Sequence, residues 1–114
     1  MEINKEVLKG HIDTLILSLL KTRDMYGYEL AKLVREKTDN QFEIKEGTLY
    51  LSLKRMEANG LIASYWSADQ GPGGRRKYYQ ISACGKAEFQ KKLVEWKFIK
   101  PIIDSFLEGG DDDE

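Results

Sequence analysis

The chain changes character once, at Asn59-Gly60, and that change constrains the fold more than any other feature. Before it, apolar residues recur at helical spacing; after it, β-branched and aromatic residues gather in two short runs. Asn59-Gly60 is itself a strong helix stop, because glycine tolerates the left-handed conformation that follows a helix end. The two runs, Leu61 to Trp66 and Lys77 to Ile81, are joined by Asp69-Gln70-Gly71-Pro72-Gly73-Gly74, whose glycines and proline exclude regular structure. A β-hairpin with a long loop is expected there.

Upstream, Leu8, Ile12, Leu15, Ile16, Leu19 and Leu20 predict an amphipathic helix over residues 5–21. A second helix fits Gly27 to Lys37 and buries Leu30, Ala31, Leu33 and Val34. Asp39-Asn40 closes it with residues that favour turns. Phe42-Glu43-Ile44 alternates and reads as a minor strand. A third helix from Glu46 to Asn59 buries Leu49, Leu53 and Met56. Beyond the hairpin, Ser82 is a good N-cap for a last helix, although Gly85 stands where a capping box would place Glu. The expected fold is mainly α with a β-hairpin wing: a winged helix-turn-helix over residues 1–81, then a long C-terminal dimerisation helix over 82–108. The third helix of such a fold enters the major groove of DNA. Residues 109–114 form an acidic tail unable to pack.

With 114 residues, 41% of them hydrophobic, one compact domain is expected. The single cysteine, Cys84, cannot form an intrachain disulfide, which points to a reducing compartment. No basic, apolar leader opens the chain, and Leu15-Ile16-Leu17-Ser18-Leu19-Leu20 is far shorter than the roughly 20 residues that span a bilayer. A cytoplasmic protein without membrane contact is expected.

An enzyme reading finds little support. The one histidine, His11, reads as structural, and Cys84 reads as a small buried hydrophobe without a His partner nearby. No Cys/His cluster has metal-ligand spacing, so no metal or cofactor is expected. Gly71-Pro72-Gly73-Gly74 leads into Arg75-Arg76-Lys77 and a strand, whereas a phosphate-cradling loop opens a helix.

The basic residues are better placed than numerous. The whole chain carries a net charge of −1, which alone argues against a nucleic-acid protein. Residues 45–86, however, carry seven basic groups against three acidic ones, a net charge of +4. Glu108 and the acidic residues of the tail account for five of the 19 acidic groups; without them the charge is also +4. Lys54 and Arg55 fall on the third helix, and Arg75, Arg76 and Lys77 at the base of the wing. The outward face of that helix also carries Thr48, Tyr50 and Leu51, which suit phosphates, base edges and thymine methyls. A winged-helix module that binds only proteins is the alternative, and the charge on helix and wing favours DNA.

Several ordered motifs then coincide. Met25-Tyr26-Gly27-Tyr28-Glu29-Leu30, Glu46-Gly47-Thr48-Leu49-Tyr50 and Leu53-Lys54-Arg55-Met56-Glu57-Ala58-Asn59-Gly60-Leu61-Ile62 resemble the PadR family of bacterial transcriptional regulators. Gly73-Gly74-Arg75-Arg76-Lys77-Tyr78-Tyr79, with Ile81-Ser82 and Gly85, is similar to that family's wing and the start of its last helix. The resemblance runs from about Lys5 to Leu107. The family's frequent proline after Thr-Leu-Tyr is Leu51 here, a departure shared by the short subfamily with a single C-terminal helix. The resemblance implies a homodimeric repressor on a palindromic double-stranded operator. By position, Thr48, Tyr50 and Lys54 are groove or phosphate contacts, Arg75 and Arg76 clamp the backbone, and Lys45 and Lys77 lie beside them. Tyr28 is either a phosphate contact or packing.

The last helix is too apolar to stand in solvent. Phe89, Leu93, Trp96, Ile103 and Leu107 follow heptad spacing with one slot held by Lys100, while Val94, Phe98, Ile102 and Phe106 make a second stripe. One domain covers one stripe, and the other needs a second chain. Phe89, Leu93, Trp96, Ile99, Ile103 and Phe106 are the expected dimer residues. Pro101 lacks the N–H that would bond Lys97, so a kink or break is expected there. Trp96 resembles the stacking platform of subfamily members that sense planar aromatic compounds at the dimer interface, or else it fills the dimer core. On the first helix, Val7, Gly10 and Thr14 form a second face, away from the Leu15/Leu19 core stripe, and Gly10 leaves room for a neighbour or an effector.

Overall fold

Apolar spacing, turn chemistry and caps produce four helices and a small sheet in a computed structural model, which describes residues 11–68 and 74–109. Helices α1 (Ile12–Leu20), α2 (Gly27–Lys37) and α3 (Glu46–Ala58) form the first half. Strand β1 (Met25–Tyr26) separates α1 from α2; β2 (Ile62–Trp66), β3 (Lys77–Ile81) and α4 (Ala83–Gly109) complete the chain. Val7, Gly10, Gly71-Pro72-Gly73 and the acidic tail from residue 110 lie outside the described residues, as do residues 5–10 of the helix expected from the sequence.

One core joins the helices. Ile16, Leu30 and Leu53, from α1, α2 and α3, are wholly buried, with Leu17, Leu20, Met25, Leu49 and Met56 packed among them. Burying a side chain of this kind stabilises the fold by about 1.5–3 kcal/mol. The sheet order is β1-β3-β2, all antiparallel, with Met25 opposite Tyr79, and Tyr78 between Tyr26 and Tyr65.

The helix ends obey the turn chemistry of the sequence. Asp39 and Asn40 adopt positive φ after α2, at 53° and 65°. After α3 the Leu61 N–H reaches back to the Met56 carbonyl at 2.9 Å and the Gly60 N–H to Glu57 at 3.1 Å. This pairing needs a left-handed residue between, supplied by Gly60 at φ 76°. Ser82 Oγ accepts the Gly85 N–H at 3.0 Å, capping α4, and donates to the Gly60 carbonyl. The cap therefore also ties α4 to the end of α3. Gly85 is buried there; a Cβ would overlap the Leu61 carbonyl oxygen and Ile81 Cγ1. Close backbone approach, not capping, selects that residue.

Three expectations are corrected. Phe42-Glu43-Ile44 is no strand: Phe42 and Ile44 are buried and Glu43 exposed, but the segment has no backbone partner and serves as a connector. The extra strand is instead β1, two residues long and too short to show a period. Pro101 does not break α4, which runs on to Gly109; the Lys97 carbonyl that loses its partner lies on an exposed turn where water can bond it. Cys84 is exposed, because it follows the cap on the outer side of the first turn of α4.

Candidate nucleic-acid interface

Helix α3 turns Leu49, Ser52, Leu53 and Met56 inward and so presents Tyr50, Leu51 and Lys54 outward. Thr48 is half-buried on its first turn, and Lys45 stands exposed just before it. The Tyr50 ring lies against Gly27, where a Cβ would overlap the phenol. That contact brings the outer face of α3 against the first turn of α2. Lys54 follows Tyr50 by four residues, one turn further on the same face. Tyr28 is 62% exposed, its ring stacked on Tyr26 at 6.3 Å, so it stands outside the core.

The wing meets this face through Arg76, whose guanidinium carbon lies 4.8 Å from the centre of the Tyr26 ring. Arg75 lies 5.8 Å from the Trp66 ring, and Lys77 Nζ 5.9 Å from that of Tyr79. All three basic residues are exposed. A continuous path thus leads from Tyr50, over Gly27 and Tyr26, to Arg76. It places the basic residues of the wing beside the outward side of α3.

Arg55 does not join this surface. Its Nη2 donates to Asp13 Oδ1 and Oδ2 at 2.7 and 2.8 Å, joining α3 to α1 and leaving Lys54 as the basic head on the outer face. The hydrogen bond to Asp13 and its charge raise the Arg55 pKa further. Arg55 is exposed, as expected of the outward face of α3, but its guanidinium is paired with an acid on another helix, 42 residues away in sequence.

Sequence reasoning passed over the support of the wing. Tyr65 donates its hydroxyl to Asp24 Oδ2, and that hydrogen bond, with a smaller contribution from burial, pushes the Tyr65 phenol up. Tyr65 stacks on Tyr78 at 5.8 Å, and Tyr78 meets Tyr26 edge-on at 5.5 Å. Tyr79 points the other way, into the core; its phenol is pushed up chiefly by burial, with Tyr50 and Glu57 adding to the effect. Alternation of Tyr78 and Tyr79 across β3 was visible in the sequence, but their partners depend on the register with β1.

The model of the Transcriptional regulator PadR-like family matches residues 16–91, a span that takes in α2, α3, the wing and the cap of α4. The chain belongs to the PadR-like family of transcriptional regulators. A transcriptional regulator from Clostridium thermocellum is 44% identical with a TM-score of 0.81, over 91% of this chain and 97% of that one. A PadR family regulator from Clostridium difficile is 52% identical with a TM-score of 0.78, over 85% and 98%. The Negative transcriptional regulator PadR of Bacillus subtilis is 26% identical over 81% of this chain and 50% of its own length. Membership makes this a DNA-binding regulator rather than an enzyme.

Two further features of this PadR-like chain involve α4. A groove of about 420 Å³ between α1 and α4 is lined by His11, Thr14, Leu15, Lys92, Glu95, Trp96 and Ile99. It brings Thr14 and Trp96 together, and His11, read from sequence as merely structural, stands edge-on to Trp96 at 5.7 Å. Along α4, Phe89 packs on the core of its own chain beneath Lys21, and Leu93 is half-buried. Trp96, Ile99, Ile103 and Phe106 are exposed, as are Val94, Phe98 and Leu107, with Phe98 at 70% and Phe106 at 78%. None of the described helices is long and apolar enough to cross a membrane.

Proposed function

We propose that the protein is a cytoplasmic homodimeric repressor that binds a palindromic operator through α3 and the wing, and that a planar aromatic effector in the α1–α4 groove releases it. The observation that carries the DNA-reading surface is the path from Tyr50 through Tyr26 to Arg76, which sets Lys54 and the wing on one side. Tyr28, Lys45, Thr48, Tyr50, Lys54, Arg75, Arg76 and Lys77 are its contacts, the arginines on phosphates. The repressor role is supported by the name of the Bacillus subtilis relative. Residues 1–81 act as the reading unit, 82–108 as the dimerisation helix and 109–114 as an acidic tail. The apolar residues exposed along α4 support the dimer, since a free stripe of this size in solvent is unfavourable. A two-fold dimer presents two copies of α3 and so favours a palindrome with half-sites about one helical turn apart.

A gel-shift assay on the DNA upstream of the protein's own gene tests this reading. A retarded complex is expected, with a footprint covering two half-sites. A folded dimer that shifts no DNA even at low salt would favour a purely protein-binding module.

Trp96 and Thr14 are proposed to hold the effector, with Val7 and Gly10 as the sequence-based candidates beside them. A planar aromatic cation is expected to quench the fluorescence of Trp96 and to release DNA, with Trp66 as the internal reference. Quenching and release that persist in Trp96→Phe would leave Trp96 as dimer packing alone.

A further inference from the structure

We propose that Tyr26 is a positioning residue for DNA binding: its ring is the seat that holds the Arg76 guanidinium ready for a phosphate. This rests on the reading that Arg76 contacts the DNA backbone. The two residues are 50 positions apart and meet only because β1 pairs with β3, which sets Tyr26 opposite Tyr78. The Tyr26 ring is held on two sides, edge-on by Tyr78 at 5.5 Å and face-on by Tyr28 at 6.3 Å. Tyr78 is braced in turn by Tyr65, whose hydroxyl bonds Asp24, two residues before Tyr26. The backbone of Arg76 is pinned as well. Its carbonyl accepts the Ser67 N–H at 2.7 Å, and its N–H donates to Ser67 Oγ at 3.2 Å.

With backbone and ring fixed, the guanidinium carbon rests 4.8 Å from the ring centre. A guanidinium held against a ring face keeps its in-plane N–H donors free, so the ring restricts the side chain without consuming the fork that grips a phosphate. An ion pair with a carboxylate would hold the head as firmly but would occupy those donors, as Asp13 does for Arg55. Arg75 is less well seated, at 5.8 Å from Trp66 and near the outer limit of about 6 Å for such contacts. Tyr26 therefore contributes to binding without touching DNA, by reducing the freedom Arg76 loses on contact.

A labelled 30-base-pair duplex of arbitrary sequence at low salt is the probe, because a phosphate contact is independent of base sequence. Arg76→Ala is expected to weaken binding about tenfold, and Tyr26→Leu about three- to tenfold. Tyr26→Phe keeps the ring and is expected to stay within about twofold of the parent. In an Arg76→Ala background, adding Tyr26→Leu is expected to cost almost nothing. Equal losses in both backgrounds would mean that Tyr26 only supports the fold and would overturn the seat. Arg76→Lys, which leaves Tyr26 intact, is expected to weaken binding although it keeps the charge; full affinity would likewise overturn it. If Arg76→Ala has no effect, the phosphate reading fails along with the seat. If Arg76→Ala weakens binding and Tyr26→Leu does not, only the seat fails.

Discussion

Replacing Arg75 and Arg76 together with alanine is expected to lower affinity about 10- to 100-fold near 0.1 M salt, by a similar factor on every DNA sequence. Both side chains are exposed on the wing, over Trp66 and Tyr26, and among the described residues neither meets an acid. Each phosphate neutralised releases about one counterion, so removing four arginines from a dimer flattens the plot of log affinity against log salt by about three to four units. Titrating a labelled operator and an unrelated duplex at several salt concentrations measures both quantities. An unchanged slope would remove these arginines from the interface.

The second large effect is on stability. Gly85→Ala is expected to destabilise the fold by at least about 2 kcal/mol and to lower the melting temperature by roughly 10 °C. In an ordinary helix the same exchange stabilises by up to about 1 kcal/mol. Here a methyl group would overlap the Leu61 carbonyl oxygen, a backbone atom that also accepts the Ser82 N–H at 3.0 Å. Neither partner can move without opening the junction between α3, β2 and α4. Gly47→Ala is the control, since nothing lies within 4 Å of a Cβ at that exposed position on α3. Thermal denaturation of the two variants should move in opposite directions; a Gly85→Ala protein as stable as its parent would refute the packing account.

Local chemistry explains why most elements were legible in advance. Helix stops at Asp39-Asn40 and Asn59-Gly60, the Ser82 cap and the apolar spacing of α1, α2 and α3 are all decided within a few neighbouring residues. Sequence misleads where the same local signal has two outcomes. Phe42-Glu43-Ile44 has the alternation of a strand, but alternation also suits a connector that dips twice into the core. Met25-Tyr26 has no local signal at all, because two residues become a strand only when β3 offers its free edge. Pro101 removes one backbone bond, but on an exposed turn that loss is small enough for the helix to continue.

The candidate site divides in the same way. That Lys54, Arg75, Arg76 and Lys77 belong to a helix and a wing follows from the chain itself, as does the concentration of positive charge over residues 45–86 beneath a net charge of −1. What the side chains around them meet was decided by the folded structure: Arg55 pairs with Asp13, Arg76 lies over Tyr26, and Tyr50 lies against Gly27. Periodicity and turn residues act over one or two turns of chain, so sequence alone determined the order of the helices and the hairpin and the basic character of residues 45–86. The partners of long side chains are set by packing between segments tens of residues apart, and only the tertiary structure brings those segments together.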